Sequence, residues 1–167
     1  MKVTAYLGGV LSLLIVACAQ GSAQSGGLTA EMERARNKAE FARNFGALQN
    51  IAYAMLREHE QGQLSAAKLG KNTGDIHKKA RTLRGMMQLG ELKAPVVENA
   101  TALDTPGKFD LAIRRLSRLV YNFAHNPVHQ NRRVFNTDQA QKALVDLETI
   151  ILLSKVINGQ AKNYRSP

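Results

Sequence analysis

Phe109, Ile113, Leu116, Val120 and Phe123 recur in steps of four, three, four and three. That rhythm places all five on one face of an α-helix and on no common face of a strand. The same rhythm returns at Phe41, Phe45, Leu48, Ala52 and Met55, at Ile76, Ala80, Leu83 and Met87, and in Ala140, Ala143, Leu144, Leu147, Ile150, Ile151 and Val156. A helix with one apolar stripe needs neighbours to cover it, and short connections favour antiparallel ones. No alternating run is long enough for a sheet. The expected fold class is all-α, an antiparallel four-helix bundle.

Local signals give the expected ends. Thr29 caps the first helix, Glu31 and Glu33 suit its positive end, and Gln61-Gly62-Gln63 closes it near residue 60. Ser65 to Leu69 reads as a short turn before Gly70. Asn72 or Thr73 then caps the second helix, and Gly90 ends it. Glu91 to Asp104, with Pro95, Val96 and Val97, reads as a linker. Thr105-Pro106 opens the third helix as N-cap and N1, and His125-Asn126-Pro127 stops it. Asn136 with Gln139 resembles a capping box for the fourth helix. Gly159 ends that helix, and Asn163 to Pro167 reads as frayed.

The start of the chain, MKVTAYLGGVLSLLIVAC, sets Lys2 before an apolar run from Tyr6 to Val16. A bilayer-spanning helix needs about 20 apolar residues, so this run has the length of a cleaved secretory leader. Ile15-Val16-Ala17-Cys18 resembles the bacterial lipobox. The resemblance implies lipidation of Cys18 and a membrane anchor through that lipid. Ala19 in place of Asp then points to the outer membrane. Ala17-Cys18-Ala19 and Gly21-Ser22-Ala23 also fit an ordinary export site, which would release a periplasmic or secreted protein after Ala19 or Ala23. The expected organisation is a signal peptide at 1–17, a flexible Gly/Ser/Ala/Gln tether at 18–28, the bundle at 29–160 and a tail at 161–167. Cys18 is the only cysteine. The mature domain therefore lacks an internal disulfide, and thiol catalysis and cysteine metal clusters are excluded.

The formal net charge is +10, which favours anionic partners. Lys78, Lys79, Arg81 and Arg84 crowd the second helix, Arg114, Arg115 and Arg118 the third, and Arg132 and Arg133 the last loop. These residues are the candidate surface for an anionic envelope component, either lipid headgroup or polysaccharide, or for another envelope protein. Tyr121 and Phe135 read as core or staple residues, so a base-stacking platform, and with it nucleic acid, is disfavoured. In the loop from His125 to Asn136, polar side chains brace a non-helical backbone. His129, Asn131, Arg132 and Arg133 are its ligand-contact candidates.

His125 and His129 have the i, i+4 spacing of metal ligands, but Pro127 lies between them and no HExxH is present. His125 is expected to cap the third helix and His129 to face water. No CxxCH is present, so covalent haem is excluded. Axial ligation would fall to Met32, Met55, Met86 or Met87 with a histidine, and such methionines more commonly fill cores. No cofactor is expected. Ser/His/Asp arrangements, phosphate loops and carboxylate pairs are absent, and Glu58 and Glu60 flank His59 on diverging directions. The sequence therefore reads as an exported, lipid-anchored, non-enzymatic bundle. A periplasmic haem- or metal-binding bundle and a secreted nucleic-acid binder are the alternatives.

Overall fold

The computed structural model describes residues 21–87, 103–129 and 137–165, and all regular structure among them is helical. In chain order the helices are α1 (Gly21–Glu60), α2 (Ala66–Met86), α3 (Pro106–Ala124) and α4 (Thr137–Gln160). Single 3-10 turns occur at Pro127–His129 and Ala161–Asn163. No helix among the described residues is long and apolar enough to cross a membrane. The leader with Cys18, Gly90 and the linker up to residue 102, and Asn131, Arg132, Arg133, Phe135 and Asn136 lie outside the described residues.

α1 begins within the stretch expected to be a tether. A helical glycine costs about 1 kcal/mol against alanine, but extending an existing helix avoids the far larger penalty of nucleation. Residues 21–28 therefore continue the helix, and Thr29 is interior to it, not its cap. The chain divides into two compact units, 1–40 and 41–167. Within the first, Glu31 to Lys38 are exposed.

The second unit is the bundle. At its first hairpin Gly62 takes φ 67°, the left-handed conformation that ends helices. The Glu58 carbonyl accepts from the backbone N–H of both Gln63 and Leu64 (2.8 and 3.1 Å). Ser65 caps α2 by accepting from Lys68 N–H, so Asn72 and Thr73 are not the cap. The helix runs through both, because the Thr73 hydroxyl satisfies itself on the Leu69 carbonyl (2.7 Å). α2 ends at Met86, before Gly90. α3 starts as expected, with the Thr105 side chain accepting from Lys108 N–H and Pro106 at the first position. Asn126 braces the next turn: its Oδ1 accepts from Val128 N–H and its Nδ2 donates to the Gln139 carbonyl, both at 3.0 Å.

Cross-helix bonds fix the directions. Ala52 meets Ser117 while Glu60 meets Arg114, so α1 and α3 are antiparallel. Asn158 donates to the Gly70 carbonyl and Arg84 reaches Glu148, so α2 and α4 are antiparallel. Asn126 meets Gln139 and Leu103 meets Gln160, so α3 and α4 are too. Around the bundle the order is α1, α2, α4, α3. α2 and α3 run in the same direction, a topology that requires a long connection in place of a tight turn. Leu48, Met55, Ile76, Leu83, Ile113, Leu116, Leu147 and Ile150 fill the core with the ring of Phe123.

The chain does not fray as far as Tyr164. After the 3-10 turn, Tyr164 is only 4% exposed and packs edge-on against Phe109 at 5.5 Å between centroids. An aromatic ring hidden this far outweighs the freedom that a loose terminus would keep.

Candidate functional site

α1 and α3 approach through small side chains. The Ser117 hydroxyl donates to the Ala52 carbonyl at 3.4 Å. Larger residues stand on either side, and they leave a groove of about 530 Å³. Gln49, Asn50, Tyr53 and Leu56 line it from α1, and Arg114, Arg118, Tyr121 and His125 line it from α3. Its size falls within the range of small-molecule sites. Tyr53 is 71% exposed and Tyr121 61%. Tyr121 is thus neither core nor staple, because its position lies off the buried stripe of α3. His125, the C-cap residue of α3, stacks on Tyr121 with ring centroids 3.9 Å apart. Its Nδ1–H donates to the Tyr121 carbonyl at 2.8 Å, which fixes the ring and leaves Nε2 for a ligand.

One end of the groove joins a polar chain that runs from exposed Arg114 and Glu60 inward to buried His59 and Tyr164. Arg114 donates to Glu60 through Nη1 and to Asp110 through Nε, each at 2.8 Å. Asp110 Oδ1 also accepts from His59 Nε2 at 2.8 Å, and His59 Nδ1 bonds the Tyr164 hydroxyl at 2.8 Å. The His59 hydrogen bond, and after it Arg114, hold the Asp110 carboxyl below its usual pKa against a smaller opposing effect of desolvation. Asp110, and then Glu60, raise the pKa of Arg114 in return. His59 is 2% exposed and both its ring nitrogens are engaged. A histidine held this way ties helices together and offers no nitrogen to a substrate.

At the opposite end, the His129 ring sits among Phe41, Phe45 and Phe123, with centroids 6.3, 5.1 and 4.8 Å away. This position corrects the expectation that it faces water. Pro127 turns the chain back on itself, and the ring is carried into the aromatic cluster. Burial lowers its pKa, partly offset by a hydrogen bond with the Phe123 backbone, and Nε2 has no partner. His125 and His129 therefore do not converge. Met55 is core, and among the described residues no group of three or more His, Cys, Asp or Glu could hold a metal.

The basic residues divide between two surfaces. Lys78, Lys79, Arg81 and Arg84 ride on α2, and Arg114, Arg115 and Arg118 on α3, across the bundle from it. Arg84 is paired with Glu148 at 2.7 Å, and Arg114 with Glu60 and Asp110. Arg118 lines the groove without a hydrogen-bonded or charged partner among the described residues, and Arg115 is exposed beside it. Sequence reasoning missed the polar chain and the groove. The signal for the first was His59, which extends the stripe of Leu48, Ala52 and Met55 by a further step of four. Comparison with family models, with curated proteins and with solved structures finds no match to this chain.

Proposed function

We propose that this chain is an exported helical module, anchored through a lipid on Cys18, that holds an anionic envelope partner against α3 without catalysing a reaction. The observation that carries the reading is Arg118. It is a guanidinium with no charged partner among the described residues, at the edge of a groove of about 530 Å³, with an exposed aromatic ring beside it, in a chain of net charge +10. Guanidinium groups suit carboxylate and phosphate recognition because their forked donors match both oxygens. The engaged nitrogens of His59 support a binding role over a catalytic one. Export and anchoring rest on the leader alone.

Two measurements test the reading. Mass spectrometry of the mature protein is expected to find an acylated Cys18, and a free terminus at Gln20 or Gln24 would remove the anchor. Co-sedimentation with envelope fractions is expected to weaken with rising salt and to weaken further in Arg118→Gln. Binding that ignores both salt and that substitution would overturn the anionic-partner reading.

A further inference from the structure

The groove contains more than a cation, and its chemistry narrows what it can hold. Tyr53 and Tyr121 are exposed on its two sides, and His125 covers one of the two faces of the Tyr121 ring. Exposed ring surface gains by covering apolar surface. Covering them with hydrocarbon alone would waste the polar groups between them. Asn50 is exposed, the Gln49 amide nitrogen reaches only its own helix carbonyl at 3.5 Å, and His125 keeps Nε2 open. Donors and acceptors interleaved with aromatic faces match a ring that carries hydroxyl groups on its edge and C–H bonds on its face. A saccharide has that form.

Charge decides between saccharides and polyanions. Arg114 is already paired with Asp110 and Glu60, which leaves Arg118 as the one arginine without a charged partner among the described residues that line the groove. A nucleic-acid backbone brings a negative charge at every nucleotide and needs a run of cations to meet it. One guanidinium between two tyrosines meets one carboxylate. We propose that the α1–α3 groove binds a short carboxylate-bearing saccharide segment, with rings against Tyr53 and Tyr121 and the carboxylate on Arg118. This rests on the anionic-partner reading above and adds to it a place and a ligand class.

The chain contains no tryptophan and four tyrosines, two of which line the groove, so a change in tyrosine fluorescence that Tyr121→Ala diminishes reports on it. The full mature protein is titrated with trigalacturonic acid and with a disaccharide containing N-acetylmuramic acid, and calorimetry serves as the second readout. The controls are the methyl ester of each acidic probe, neutral chitotriose, a single-stranded oligonucleotide and phosphatidylglycerol vesicles. At least one acidic sugar is expected to bind, and its methyl ester to bind at least tenfold more weakly. Tyr121→Ala and Arg118→Gln are each expected to weaken binding at least tenfold, and Lys155→Gln at an exposed position of α4 to leave it unchanged. Both tested groove residues lie outside the core, so an unchanged melting curve separates loss of binding from loss of fold.

Failure of both acidic sugars, or binding that ignores Tyr121→Ala, overturns the saccharide proposal. If the vesicles or the oligonucleotide still bind through Arg118, the anionic-partner reading survives that failure. If no anionic probe binds, both fall.

Discussion

Tyr164 decides whether the C-terminal segment belongs to the fold. Its hydroxyl meets His59 Nδ1 at 2.8 Å and its ring packs against Phe109 at 5.5 Å. Tyr164→Phe keeps the ring and removes the oxygen. A nitrogen of a histidine that is 2% exposed then has no partner, and leaving a buried polar group unmatched costs about 1–3 kcal/mol. Tyr164→Ala also removes the ring, and truncating a buried aromatic costs about 3–5 kcal/mol. Deleting residues 161–167 removes Ala161 as well, which is 4% exposed, and is expected to cost at least as much. Domain stabilities run to about 5–15 kcal/mol, so these losses are large against the whole.

Urea unfolding followed by the helical circular-dichroism signal measures them. The midpoint is expected to fall in the order Phe, Ala, deletion, with the slope unchanged for the point substitutions. The double change His59→Leu with Tyr164→Phe isolates the bond itself. Its cost is expected to be smaller than the sum of the singles by about 0.5–3 kcal/mol, because the pair is removed together. A Tyr164→Ala protein within about 0.5 kcal/mol of the parent, the range of ordinary surface changes, would refute the reasoning and restore a frayed tail.

Two acid transitions should separate by site. Asp110 has a depressed pKa, so the stability it contributes is full above the ordinary carboxylate value of 3.8 and is lost as pH falls below that value; Asp110→Asn should flatten that limb of a pH–stability curve. His129 is held neutral by burial, so its contribution is full above 6.5 and is lost as pH falls below that value; His129→Phe should remove that milder slope while Asp110→Asn leaves it. Gly46 and Gly85 lie inside helices, and a Cβ on either would meet nothing within 4 Å. Alanine at either position should therefore raise stability by about 0.5–1 kcal/mol in the same urea assay. Leu147→Ala, at a fully buried site, should cost about 2–5 kcal/mol, and Leu111→Ala, at a site 68% exposed, less than about 0.5 kcal/mol.

The stripes were legible because helical periodicity reports burial directly: Phe109, Ile113, Leu116, Val120 and Phe123 are all buried. The start of α3 was legible because Thr105-Pro106 is a local signal. The start of α2 was not. Gly70, Asn72 and Thr73 resemble a break, but tertiary contacts make them useful inside a helix. Gly70 faces Ala161, and its carbonyl accepts from Asn158. Those partners lie far along the chain and leave no trace in a local window. The same holds for Tyr164, whose partner His59 is 105 residues away. Tyr121 was hidden for a different reason, the expectation that an aromatic residue on a helix belongs to its buried side, whereas it is 61% exposed.

Topology also decides how the net charge can act. Neighbouring helices in a bundle lie about 8–10 Å apart, so the α2–α3 diagonal is about 13 Å, and their charged side chains point further outward. Screening at physiological salt sets in over about 8 Å. Lys78, Lys79 and Arg81 on α2 therefore contribute little to the potential felt by a ligand in the α1–α3 groove. Their influence is confined to long-range approach at low ionic strength. Within the groove, Arg114 is committed to Asp110 and Glu60, and through them to His59 and Tyr164. On the proposed reading, Arg118 is then the charge, among the described residues that line the groove, and the two exposed tyrosines are the surface that would set how long a partner stays. The cations that would draw an anionic ligand in from a distance and the residues that would retain it are thus different residues on different helices. The carboxylates that pair with Arg114 would also limit the groove to a ligand of low charge density.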